Sequence, residues 1–178
     1  MTAADDTGLV LRAARFAAMK HRNQRRKDKE ATPYINHPLA LANVLWHEGR
    51  IRDARVIVAA LLHDTVEDTR TTRAELARAF GKPTAAVVAE VTDNKRLDKK
   101  TRKRLQVEHA PYLSPPAKLV KLADKICNLR DLAASPPARW SLARQREYFD
   151  WAKQVVDALR GENRRLERVF DRAFRARP

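Results

Sequence analysis

The sequence predicts an all-α fold in a single compact domain, and three observations carry that expectation. Abundant Ala, Leu and Arg favour helix, and nine Pro against only four Gly suit helices broken at prolines better than a sheet with many tight turns. Apolar residues recur at helical spacing in most of the segments between those breakers. At 178 residues the chain can bury one sizeable core, and no repeat, low-complexity tract or composition shift divides it. One domain over residues 1–178 is expected, with a core over residues 9–160 and a basic C-terminal helix over 162–175.

Leu9, Ala13, Phe16, Ala17 and Met19 give a first helix ending near Lys20. Residues 21–36, HRNQRRKDKEATPYIN, lose the period, contain Pro33 and gather Arg and Lys, so they read as a basic loop. Pro38 suits the first turn of a helix through Leu39, Leu41, Val44 and Leu45, which Gly49 closes. Asp53 caps the next helix, which holds the apolar run Val56 to Leu62 and delivers His63 and Asp64 near its end. Thr72 and Glu75 have capping-box spacing before Leu76 and Phe80, and Gly81 with Pro83 ends that short helix.

A helix over 84–92 follows. A second basic segment, DNKRLDKKTRKR at 93–104, then leads into a helix that Pro111 stops. Ser114 with Pro115 and Pro116 opens a stronger helix, where Leu119, Leu122, Ile126 and Leu129 form an apolar stripe and Lys121, Asp124, Lys125 and Asn128 lie off it. Ser135, Pro136 and Pro137 break the chain again. Two closing helices over 141–160 and 162–175 divide at Gly161, the first with Tyr148, Trp151, Val155 and Leu159 at helical spacing.

Composition narrows the function classes. The longest apolar stretch, Val56 to Leu62, is far below the roughly 18 residues of a membrane span, and Asp5 and Asp6 stand where a signal peptide would be basic. A soluble, cytoplasmic protein without a membrane partner is expected. A single cysteine, Cys127, can make no internal disulfide, which suits a reducing compartment. Thirty-seven Lys and Arg against twenty-two Asp and Glu give a formal charge of +15, which attracts polyanions without choosing among nucleic acid, anionic lipid and phosphorylated small molecules.

The most informative stretch is AALLHDTVEDT, at 59–69. An apolar run there ends on His63 and Asp64, with Glu67 and Asp68 three residues further on, and burying such groups without a partner costs several kcal/mol, on the order of a domain's stability margin. Neighbouring helical residues differ by about 100° in direction, so a His nitrogen and an Asp oxygen can both reach a metal beside that helix end. His37, in PYINHP where a loop enters a helix, and Asp124, in KLADKICNL off an apolar stripe, complete an ordered set of His, His-Asp and Asp.

That set resembles the ligand pattern of the HD metal-dependent phosphohydrolase superfamily. HDTVEDT, the RRKD loop, YINHP, TDNK and KLADKICNLRDL together look like the hydrolase domain of RelA/SpoT-type alarmone enzymes. The likeness is nearest to the stand-alone small alarmone hydrolases of the metazoan SpoT-homologue kind, and it runs from Ala13 to beyond Tyr148. It implies an HD-domain helical bundle in which His37, His63, Asp64 and Asp124 ligate one divalent metal, usually Mn²⁺ in this family. It also implies that Glu67 and Asp68 are the catalytic acids that handle the attacking water. The implied substrate is (p)ppGpp, hydrolysed to GDP or GTP and pyrophosphate. Arg26 and Lys27 in the first basic loop, Lys95 and Lys99 in the second, and Asn128 and Tyr148 are the implied substrate-binding residues. Asn94, where relatives tend to carry an acid, and Cys127, where an aromatic is common, depart from the pattern without removing a ligand.

Other readings stand beside this one. Glu67 and Asp68 could pair with Arg70 or Arg73 at a helix end, Asn128 and Tyr148 could be structural hydrogen-bond partners, and Arg130 suits an acid such as Asp131 better than substrate. The same metal site could serve another nucleotide, for example as an NADPH 2′-phosphatase, or stand in an inert scaffold. A basic nucleic-acid-binding protein is the alternative from another class, suggested by the charge and by the arginines from Arg164 to Arg177. That helix nevertheless has an apolar face in Leu166, Val169, Phe170 and Phe174, and no zinc-finger, RNP-type or Gly-rich phosphate motif is present.

Overall fold

The computed structural model of the protein describes residues 3–178; Met1 and Thr2 of the expected domain span lie outside the described residues. The chain is all-α, as expected. Its helices are α1 (Ala3–Lys20), α2 (Asn36–Asn43), α3 (Ala54–Leu62), α4 (Thr65–Asp68), α5 (Arg73–Phe80), α6 (Lys82–Val91), α7 (Lys99–His109), α8 (Pro115–Ala134), α9 (Leu142–Asp157) and α10 (Arg164–Phe174). A π-helical turn, Val44–Glu48, extends α2, and a 3₁₀ turn, Ala110–Tyr112, follows α7.

The centre is α3. Its side chains Val56, Ile57, Val58, Leu61 and Leu62 are all buried, and each such side chain stabilises the fold by at most about 1.5–3 kcal/mol. Helices α1, α2, α6 and α8 pack around it. Asp53 starts it as foreseen, its carboxylate accepting the Arg55 N–H at 2.9 Å. Helix α8 is the second pillar and buries Val120, Leu122, Ile126 and Leu129, with α9, α10 and the turn between them closing its other side through Phe149, Phe170, Leu166 and Leu159.

Several details differ from expectation. The helix after Gly81 begins at Lys82 with Pro83 in its first turn, rather than at 84. Half of the second basic segment is helical, because Asp98 caps α7 by accepting the Lys100 and Thr101 N–H groups. The first basic loop is a folded excursion: Arg26 N–H donates to the Thr32 carbonyl at 2.9 Å and Tyr34 N–H to that of Gln24 at 3.1 Å. Asp28 braces the tip through the Thr32 N–H and hydroxyl. Gly49 ends the second helix with an ordinary φ of −77°, and Arg50 instead takes the left-handed conformation at +57°. Glycine is required at 49 for space: a Cβ there would lie 2.9 Å from Leu166 Cδ2 and 2.9 Å from the Leu45 carbonyl oxygen.

Candidate active site

Four elements bring the site together. Helix α3 ends at Leu62, and His63 and Asp64, both still in right-handed helical backbone conformation, occupy the junction before α4. The break suits the doublet, which faces the core cleft while α4 carries Glu67 and Asp68. Helix α2 supplies His37 in its first turn and α8 supplies Asp124.

Donor atoms of His37, His63 and Asp124 all lie within 4.8 Å of one another. Asp64, expected as the fourth member, stands outside that triplet, with its Oδ2 2.8 Å from His63 Nε2 and accepting the Tyr34 hydroxyl. His63 Nδ1–H donates to the Ala60 carbonyl at 2.8 Å, which fixes the tautomer and turns Nε2 into the cleft. Nε2 is buried, and its close contact with Asp64 is too poorly aligned to count as a hydrogen bond. Two electron-pair donors so close call for positive charge between them. A proton on His63 supplies it: burial opposes that charge, but the Asp64 carboxylate overrides burial and raises the imidazole to about 9. A divalent cation bound by Nε2 supplies it equally. The nitrogen and carboxylate donors present therefore fit a divalent metal.

The remaining partners hold the ligand candidates in place. His37 Nε2 lies 3.2 Å from Asp124 Oδ1, and Asn128 donates to that same oxygen at 2.6 Å. Lys125 Nζ donates to Asp124 Oδ2 at 3.0 Å. Burial alone would raise Asp124, yet the Lys125 ammonium and His37 hold it well below the usual carboxylate range. Lys121 and Lys125, placed off the apolar stripe by the sequence reading, are instead buried at 8% and 2% exposure. Their burial is possible because Lys121 donates to the Val91 carbonyl at 3.1 Å and Lys125 is paired.

Glu67 and Asp68 do not engage Arg70 or Arg73. Glu67 Oε2 accepts the Asp93 N–H at 2.9 Å, and its pKa is raised by burial, then by the carboxylates of Asp64, Asp93 and Asp68, against the lowering effect of that N–H. Asp68 accepts from Gln24 at 2.7 Å and from Lys95.

Two cavities share a rim of Arg26, Tyr34, Asn128 and Tyr148. The inner one, about 190 Å³, holds His37, His63, Asp64, Glu67 and Asp124. The outer one, about 460 Å³, is lined on its basic side by Arg26, Lys27, Lys99 and Arg144, and also by Tyr148 and by Trp140, over whose ring the Arg144 guanidinium lies at 4.4 Å. Of the six residues expected to bind substrate, five line this outer chamber. Lys95 lines neither cavity and sits on Asp68. Arg130 pairs with an acid as anticipated, though with Glu48 and not Asp131.

The sequence reading missed Tyr34, Asp93, Gln106, Lys121, Lys125, Trp140 and Arg144. Two of them carried a signal. Tyr34 stands three residues before His37, so a first-turn geometry brings the two rings together, here 5.9 Å apart. Lys125 adjoins Asp124 directly. The others reach the site from the α6–α7 connection (Asp93), α7 (Gln106), α8 (Lys121), the segment before α9 (Trp140) and α9 itself (Arg144).

Comparison with known proteins agrees with this geometry. The HD domain family matches residues 13–150. The chain is 59% identical over 169 residues to a Xenopus tropicalis protein named guanosine-3′,5′-bis(diphosphate) 3′-pyrophosphohydrolase MESH1, covering 95% of this chain and 94% of the relative. It is 58% identical over 168 residues to the Homo sapiens protein of that name, covering 94% of each. A solved structure described as a metazoan ortholog of SpoT that hydrolyzes ppGpp and plays a role in starvation responses superposes with a TM-score of 0.92 at 48% identity, covering 95% of each chain. A helical bundle that converges imidazole and carboxylate donors at the broken end of its central helix, and that is this similar to such relatives along nearly its full length, belongs to the HD-domain family and within it to the MESH1 group.

Proposed function

We propose that the chain is a metal-dependent (p)ppGpp 3′-pyrophosphohydrolase, working as one domain over 1–178 in the cytoplasm. The observation that carries the reading is the four residues common to both cavities: a donor-lined inner cavity lies beside a basic, aromatic chamber of about 460 Å³, within the usual size of small-molecule sites. A guanine nucleotide in the outer chamber would lay its base near Trp140 and Tyr148 and its phosphates near Arg26, Lys27, Lys99 and Arg144, projecting its 3′-diphosphate inward. Arginine forks onto phosphate oxygens while lysine supplies a mobile point charge.

His37, His63, Asp64 and Asp124 would hold the cation. Mixed nitrogen and carboxylate donors suit Mn²⁺ better than Mg²⁺. When bound, it supplies a Lewis acid that draws charge from the phosphoryl oxygens. Glu67, with one oxygen tied to the Asp93 N–H, would use the other to orient a water and take its proton. The water oxygen bonds to the phosphorus next to the ribose 3′ oxygen, the P–O3′ bond breaks, and the 3′ oxygen leaves taking a proton from solvent while Glu67 returns its own to solvent, as pyrophosphate is released. Asp68, held by Gln24 and Lys95, adds to the negative charge that, after burial, raises Glu67 above its ordinary value.

The test offers purified protein with Mn²⁺ the substrates ppGpp, pppGpp and NADPH in parallel, with Asp64→Ala as control. Pyrophosphate release from ppGpp that vanishes in Asp64→Ala is expected. Phosphate released from NADPH alone would overturn the reading.

A further inference from the structure

Helix α7 is fastened to the site in an unusual way. None of its residues is fully buried, and its contribution to the apolar core is the half-buried Val107. Polar links add to that contact: Trp151 Nε1–H donates to the Lys103 carbonyl at 3.0 Å, and Gln106 reaches inward at mid-helix. Gln106 Nε2 donates to Asp93 Oδ2 at 2.6 Å while its Oε1 accepts from Lys125 Nζ at 3.1 Å. Asp93 in turn gives its backbone N–H to Glu67 Oε2, and Lys125 binds Asp124 Oδ2. One carboxamide thus joins the base candidate to the metal-ligand candidate through a chain of four hydrogen bonds spanning α4, the α6–α7 connection, α7 and α8.

Only a neutral group that carries both a donor and an acceptor satisfies both ends. A carboxylate would repel Asp93, an ammonium would repel Lys125, and an apolar side chain would strand both. The neighbours also fix which way the amide points, since a flipped group would set its NH₂ against the Lys125 ammonium and its oxygen against the Asp93 carboxylate.

We propose that Gln106 is a positioning residue for hydrolysis, one that sets Glu67 relative to Asp124 by tying Asp93 to Lys125. This rests on the hydrolase reading above for its kinetic consequences. Its structural consequence, a firmly held Asp93 N–H, is independent of any substrate.

The experiment compares full-length wild type, Gln106→Leu and Gln106→Glu for Mn²⁺-dependent ppGpp hydrolysis, and follows amide hydrogen exchange of Asp93 and Val88 without added Mn²⁺. Gln106→Leu is expected to lower kcat by about 10–100-fold, in the range typical of residues that orient metal ligands. KM should stay within about threefold and the Mn²⁺ content unchanged. Asp93 exchange should quicken by at least about tenfold while Val88, in the buried part of α6, holds its rate. Gln106→Glu should resemble Gln106→Leu at alkaline pH and recover toward wild type as pH falls. Its protonated carboxyl has an O–H for Asp93 and a carbonyl for Lys125, a rescue that a general packing defect would not show. Unchanged Asp93 exchange, a loss confined to KM, or equal quickening at Val88 would overturn the proposal. If wild type leaves ppGpp intact, the hydrolase reading falls and Asp93 exchange alone decides the role of Gln106.

Discussion

Glu67 is a partly buried carboxyl ringed by Asp64, Asp68 and Asp93, and that setting gives it a pH signature. Burial, and then the like charges, raise it above the ordinary value of 4.5. A base must be ionised to act, so turnover rises with pH through the raised value and is lost below it. The acid limb of kcat against pH should therefore lie above 4.5. Glu67→Ala should remove that limb and slow turnover by about 100-fold or more with Mn²⁺ content nearly unchanged, checked by a pH series and metal analysis. At this scale the convergence of His37, His63 and Asp124 was legible because each sits in a quotable motif. The buried lysines were not, because a lysine on a helix reads as solvated until tertiary partners are known. Lys125 is buried only because Asp124 and Gln106 meet its charge and Trp151 lies beneath it at 4.3 Å.

Among the elements, stops and starts were largely visible in the sequence. Asp53 and Thr72 cap where expected, and Pro115 opens α8. Two features were hidden, the junction at His63 and Asp64 and the π-helical turn Val44–Glu48, against which α10 packs; neither has a local code. Asn163 ties α10 to the end of that turn: its Oδ1 caps α10 while its Nδ2 donates to the Gly49 carbonyl at 3.1 Å. Gly49→Ala should destabilise the protein by about 1–3 kcal/mol through overpacking, read as a lowered midpoint in urea unfolding. Alanine would fit the observed φ without strain, so a neutral result would show that Leu166 yields.

Across the whole molecule, the charge of +15 is distributed unevenly. Some of it is answered internally at the C-terminal end, where Arg160 meets Asp157 and Asp171, and Arg177 meets Asp150. Lys27, Lys99 and Arg144 face the outer chamber, as does Arg26, whose guanidinium also meets Asp131 at 2.5 Å. Raising the ionic strength from about 0.1 M to about 1 M shortens screening from about 10 Å to about 3 Å, so kcat/KM for ppGpp should fall with salt while kcat changes little. Among the described residues no helix is long and apolar enough to cross a membrane.

The rim common to the two cavities has a kinetic consequence. Whatever reaches the donors from the nucleoside side must be anchored by its other half, so the spent nucleotide retains most of the features that attracted its parent. GDP should accordingly act as a decoy, competing with ppGpp in initial-rate assays, whereas free pyrophosphate, lacking a base for Trp140 and Tyr148, should compete far more weakly.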